Sequence, residues 1–250
     1  MAPAERPTTS STPTAPAAFV TTHWSVVLTA GRSDTTRARA ALENLCRTYW
    51  PPLYAYVRRR GHPAADAQDL TQAFFARLLE RNAVGEVAPG KGRFRSFLLA
   101  SLNHFLADEW DKARAQKRGG GQVISLDWQS AETRLGELPA EQFTPEKAYE
   151  RRWALTLLEQ VYRRLEEEYR AADKAPLFAA LRVALAGKSD AAPYAELAKQ
   201  LGLSEGAVKV AVHRLRQRYR VLLRNTIADT VSGPDEVEDE LRHLFAVLAG

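Results

Sequence analysis

Apolar residues recur along this chain at helical spacing. Between Ala38 and Val57 they fall at Leu42, Leu45, Tyr49, Leu53, Tyr54 and Val57, three or four positions apart except for the adjacent Leu53 and Tyr54, which gathers them on one face of a helix. Pro51-Pro52 predicts an interruption that is soon resumed. Gly61-His62-Pro63 reads as a stop followed by a start, because Gly suits a helix end and Pro a first helical turn. The next helix runs to about Arg81 with Leu70, Phe74 and Leu78 on its buried stripe. Residues 82–92 read as a loop. A long helix then runs from Phe94 to about Lys117, with Leu98, Leu102, Phe105 and Leu106 inward. Periodicity fades after Gly119-Gly120-Gly121 and returns near Pro145. It predicts helices at 146–170, 175–186, 193–200 and 204–224, broken at Asp173, Gly187 and Gly202. No strand pattern occurs, so the expected fold class is all-α: two small helical domains joined by a flexible acidic linker.

The expected organisation is a disordered Pro/Thr/Ser-rich tail at 1–18, a first domain at 19–118, a linker at 119–145, a second domain at 146–226 and an extension at 227–250. The tail has no large apolar residue after Met1 to offset its ordering entropy. The extension is acidic and then apolar, with Leu241, Leu244, Phe245 and Leu248 clustered. Capping of the second domain is the favoured reading of that cluster, and a regulator site the other. The single cysteine, Cys46, excludes a disulfide framework and a Cys-based zinc site, and it suits a reducing, cytoplasmic compartment. No stretch is long and apolar enough to span a membrane.

The net charge is only +5, but it is segregated. Residues 91–118 hold seven basic and three acidic side chains, and 209–224 hold six basic and no acidic ones. The stretch 119–146 has five acidic against one basic, and 225–250 six against one. Two basic surfaces on one chain point to two contacts along a polyanion.

The second surface belongs to residues 194–216. A short helix carries Leu197, Ala198 and Leu201; Gly202 makes the turn; Ser204 caps a second helix whose stripe is Val208, Val212, Leu215, Tyr219 and Leu222. The pair reads as a helix-turn-helix, with its second helix expected in a major groove. Its outer side carries Lys209, Val210, His213, Arg214, Gln217, Arg220 and Arg224. Lys209, His213 and Arg214 are candidates for base edges. Arg216, Arg218, Arg220 and Arg224 are candidates for phosphates.

In the first domain, the helix after Pro63 sets Asp66, Asp69 and Gln72 on the side away from its apolar stripe, which makes an acidic and amide face suited to a basic partner helix. The long helix opens with Lys91, Arg93 and Arg95 around Phe94, and its outer side carries Asn103, His104 and Arg114, with Trp110 at the border. Cations, amides and an aromatic ring together suit unstacked bases.

The runs YWPPLYAYVRRRGHPAADAQDLTQAFFARLLER, GRFRSFLLASLNHFLADEWDKARAQKR and YAELAKQLGLSEGAVKVAVHRLRQRYRVLLR resemble a bacterial RNA polymerase sigma factor, more narrowly the extracytoplasmic-function (ECF) group of the sigma-70 family. The resemblance covers roughly 38–118 and 146–226. It implies a protein that binds core RNA polymerase and directs initiation at promoter DNA, recognising and melting it. Asp66, Asp69, Gln72 and Phe75 would then dock on the clamp of the polymerase. Lys91, Arg93, Arg95, Asn103, His104, Asp108, Trp110 and Arg114 would meet the minus-ten element. Ser204, Lys209, Val210, His213, Arg214, Gln217 and Arg220 would meet the minus-thirty-five element. An anti-sigma protein is a further partner the resemblance allows. The linker carboxylates Asp127, Glu132, Glu137 and Glu141 would mimic nucleic acid in a basic channel of the polymerase.

No cofactor, metal or small-molecule substrate is expected. The chain shows no nucleophile elbow, phosphate loop or zinc signature, so it reads as a non-enzyme. The alternative function is a free-standing helix-turn-helix regulator that binds DNA without polymerase.

Overall fold

The computed structural model describes residues 36–80, 93–115, 128–136, 144–185, 194–231 and 233–250. Lys91, the N-terminal tail and most of the expected linker lie outside them. The described chain is all-α, with nine α-helices, one short 3-10 turn and no strand among the described residues. They are α1 (Thr36–Arg59), α2 (Ala64–Glu80), α3 (Phe94–Ala115), α4 (Trp128–Gly136), α5 (Pro145–Ala171), α6 (Ala175–Leu181), α7 (Tyr194–Leu201), α8 (Glu205–Ala228) and α9 (Glu236–Ala249).

The helices begin and end where local chemistry allows. Thr144 caps α5 by accepting from the Lys147 amide at 3.3 Å, with Pro145 in the first turn. At the other end of α5 the chain reverses through Asp173 at φ +58°, and the Lys174 amide closes on the Tyr169 carbonyl at 2.8 Å. Asp is among the few non-glycine residues that enter this region readily. Ser204 caps α8 by accepting from the Ala207 amide at 3.2 Å. Gly202 turns the chain between α7 and α8 at φ +65°.

Three features depart from the sequence pattern. The helix α1 runs unbroken through Pro51 and Pro52. Both prolines are buried, so packing on neighbouring helices offsets the backbone hydrogen bonds they cannot donate. The stretch expected as a flexible linker contains α4, which is pinned to α1 through Glu132. Arg58 Nη2 donates to Glu132 Oε1 at 2.6 Å and Arg58 Nε to its Oε2 at 3.1 Å, while the Tyr54 hydroxyl also hydrogen-bonds that carboxylate. Burial, and then the neighbouring Glu132, push Tyr54 up to about 12, and the Arg58 hydrogen bonds hold Glu132 below its ordinary value.

The third departure is larger. The two blocks expected as separate domains share a single core. Tyr49 and Leu53 of α1, Phe94 and Leu98 of α3, Tyr149, Trp153 and Leu157 of α5, Val208 and Leu215 of α8 and Leu244 of α9 belong to one continuous buried cluster. The pairing of α5 with α1 is the most extensive between any two helices. Burying each such side chain contributes about 1.5–3 kcal/mol. Polar contacts fix the register: Gln160 Nε2 donates to Thr48 Oγ1 at 3.1 Å. The Tyr149 hydroxyl donates to the Arg95 carbonyl at 2.9 Å. The extension forms α9, which lies against α5 and α8. Within its apolar cluster Leu244 is buried, but Phe245 faces solvent.

Candidate nucleic-acid interface

The first surface is a cleft of about 760 Å3 between the start of α2 and the second half of α3. Asp66 and Asp69 stand on one wall, and Asn103, Leu106, Glu109 and Trp110 on the other. Helical geometry explains this grouping: Asp66 and Asp69 are three apart, as are Asn103 and Leu106, so each pair shares a face. Trp110 is 64% exposed. Asp66 and Asp69 are exposed, Gln72 is half-buried, and Phe75 is 1% exposed, tilted against Phe74 at 5.5 Å. Phe75 therefore belongs to the core and presents no surface; a fully apolar ring at that position is worth more inside than out.

Asn103 is tied down rather than loose. Its Oδ1 accepts from the Tyr56 hydroxyl at 2.8 Å and from Arg60 Nη1 at 3.0 Å. Arg60 also sits over the Tyr56 ring at 5.9 Å. Asp108 pairs with Arg77 at 2.7 Å, and the Arg77 guanidinium covers the Phe105 ring at 5.7 Å. His104 is exposed. The side chain of Arg114 lies outside the described residues. Arg60 and His62, which sequence reasoning passed over, also line the cleft.

The opening of α3 differs most from expectation. Arg95, expected on nucleic acid, is buried. Its Nε donates to Glu240 Oε1 at 2.7 Å, its Nη2 reaches Glu240 Oε2 at 3.4 Å, and its Nη1 donates to Glu150 Oε1 at 2.5 Å. The same guanidinium lies over the Trp153 ring at 5.1 Å. Arg93 is half-buried, and its Nε meets Glu240 Oε2 at 2.9 Å. Glu150 in turn meets His243 Nε2 at 2.8 Å. A guanidinium stays charged when buried, so its burial is costly without a counter-charge, and the fold supplies one from α9, far away in sequence. No helical periodicity signals that partner; only the acidic surplus of residues 225–250 hinted at it.

The second surface is α8. Lys209, Val210, His213, Arg214, Gln217 and Arg220 are all exposed, with Ser204 at the helix cap. Lys209 Nζ lies 5.8 Å from the centre of the Tyr194 ring on α7. Val210 and Arg214 border a groove of about 600 Å3 that α8 forms with Tyr169 and Leu177. Three of the arginines expected on phosphates are exposed but make contacts within the protein. Arg216 donates to the Ala184 carbonyl at 2.8 Å. Arg218 forms a two-pronged pair with Glu168, 2.6 Å on each prong, and this holds the Glu168 carboxyl below its ordinary value. Arg224 pairs with Glu238 of α9. Arg216, Arg218 and Arg224 remain exposed on α8 alongside Lys209, Arg214 and Arg220, but are committed to these contacts.

With this geometry in view, one comparison with known proteins bears on the first block. Residues 45–116 match sigma-70 region 2. The match spans the second half of α1, all of α2 and α3 to its end, and so contains both walls of the acidic cleft. The likeness is to one domain of sigma-70 family RNA polymerase sigma factors and covers less than half of the chain. No curated protein and no solved structure matches the chain. Among the described residues no helix is long and apolar enough to cross a membrane.

Proposed function

We propose that this protein is a cytoplasmic sigma factor of the ECF group, which binds core RNA polymerase and directs it to promoters. The observation that carries the reading is the region 2 match at residues 45–116. The acid-lined cleft supports it chemically. Asp66, Asp69 and Glu109 around Leu70, Leu106 and Trp110 suit a basic helix with an apolar stripe, the carboxylates setting register and the indole anchoring the centre. The same carboxylates disfavour a nucleic-acid backbone in that cleft. The exposed cations Lys209, Arg214 and Arg220 of α8, with the first turn of that helix open to solvent, support duplex recognition at a second promoter element. The protein acts by binding and positioning, not by catalysis.

Reconstituted run-off transcription with core polymerase is the test. Promoter-specific initiation is expected. Asp69→Arg abolishes it through lost co-elution with core enzyme. Arg214→Ala weakens it by about 1–3 kcal/mol, the worth of one base contact. Normal initiation by both variants would sink the assignments, and tight operator binding without polymerase would favour a free-standing regulator.

A further inference from the structure

We propose that α9 is an intramolecular mask, in which Glu240 occupies the place of a promoter phosphate between Arg93 and Arg95. The idea rests on the sigma-factor reading, since that reading is what turns the opening of α3 toward promoter DNA. The geometry is specific. Both oxygens of one carboxylate face the side of the Arg95 guanidinium, at 2.7 and 3.4 Å, and one of them also meets Arg93 at 2.9 Å. Two guanidinium groups converging on one anion is the arrangement that recognises a phosphate.

The Glu240 side chain is 1% exposed, so it was placed there by folding and did not settle as a loose surface ion. Its helix is 14 residues long and is held by buried Val237 and Leu244, with Leu241, Val247 and Leu248 packed beside them. Glu238, two residues before Glu240, pairs with Arg224 at the far end of α8, there as an exposed ion pair. One acidic helix therefore engages cations from both candidate DNA surfaces. DNA offering phosphates to Arg93 and Arg95 competes with Glu240, and the free chain is held weakly binding until polymerase and promoter act together.

The experiment compares wild type with Glu240→Gln, which keeps the side-chain volume and one acceptor but removes the charge. Binding to a short fluorescein-labelled single-stranded oligodeoxynucleotide is followed by anisotropy across a potassium chloride titration. The variant is expected to bind roughly three- to tenfold more tightly. Its logarithmic salt dependence should steepen by about 0.7 for the release of Arg93, since Glu150 still contacts Arg95. Unchanged or weaker binding by a variant with wild-type helicity overturns the mask. A second arm needs no mutation: backbone amides of residues 236–249 in the wild-type protein should exchange faster when the oligonucleotide is saturating. Unaltered protection of α9 would also overturn it. Co-elution of wild type with core polymerase is scored separately, so loss of the sigma-factor reading and loss of the mask give different results.

Discussion

The contact between Arg95 and Glu240 can be tested as a stability term. Substituting Glu240 by Leu and Arg95 by Met replaces each ion with an apolar group of similar volume. The two side chains are 6% and 1% exposed, so solvent screens neither. Removing one member of a buried pair costs about 3–5 kcal/mol, because the other charge stays buried without its partner. For Glu240→Leu the lower end applies, since Glu150 still contacts Arg95 at 2.5 Å. For Arg95→Met the upper end applies. Only Arg93 then remains on Glu240, and the contact with the Trp153 ring is lost as well, worth roughly 0.5–2 kcal/mol.

The double variant should lose much less than the sum, because two apolar groups replace a pair that paid for its own desolvation. A coupling energy of about 2–3 kcal/mol is expected. Urea unfolding followed by tryptophan fluorescence and by far-ultraviolet circular dichroism gives all four corners of the cycle. One shared transition is expected, because α1 and α5 bury a common core. A Glu240→Leu variant within about 0.5 kcal/mol of wild type, additive costs, or two separated transitions would refute the reasoning.

Other outcomes follow from the same geometry. Glu132 and Glu168 both have carboxyls held below their ordinary values by arginine hydrogen bonds. Their contribution is fully present above about pH 4.5 and drains away as pH falls through their folded values; equilibrium unfolding across acid pH should show this, and the Glu132→Gln, Glu168→Gln double variant should flatten it. Gly202→Ala places a side chain at φ +65° with nothing within 4 Å of the added carbon, so the cost is backbone strain alone, about 1 kcal/mol in thermal or urea unfolding. Trp110→Ala removes an exposed anchor from the cleft, so co-elution with core polymerase should weaken by about 2 kcal/mol while unfolding stability stays within about 0.5 kcal/mol; normal co-elution would move Trp110 back to the promoter side.

The helices were legible because periodicity is local. A residue's neighbours three and four positions away are set by helix geometry alone, so the stripes Leu70-Phe74-Leu78 and Val208-Val212-Leu215 could be read directly, as could the cap at Ser204 and the turn at Gly202. The exposed candidates on α8 and the acid face of α2 follow from the same wheel. Phe75 shows the limit: on a helix packed between neighbours the apolar arc is wider than one stripe, and a ring beside Phe74 goes inside with it. Helix α4 shows another, for a helix of nine residues is too short to be stable alone and depends on tertiary contacts such as Glu132 with Arg58.

Through-space partnership is what only the tertiary structure decided. Charge counting found basic and acidic segments but could not pair them, because Coulomb attraction depends on separation in space and sequence spacing constrains that only within a helix. Nothing local distinguishes Arg95 from Arg214, yet one ends beneath α9 against Glu240 and the other faces solvent. Nor could it foresee that α1 and α5 would lie together, since each carries an apolar face that any complementary face could cover. The sequence by itself determined where helices form and which side of each is apolar. The packing of those sides determined which cations stay available to a polyanion and which are spent inside the protein.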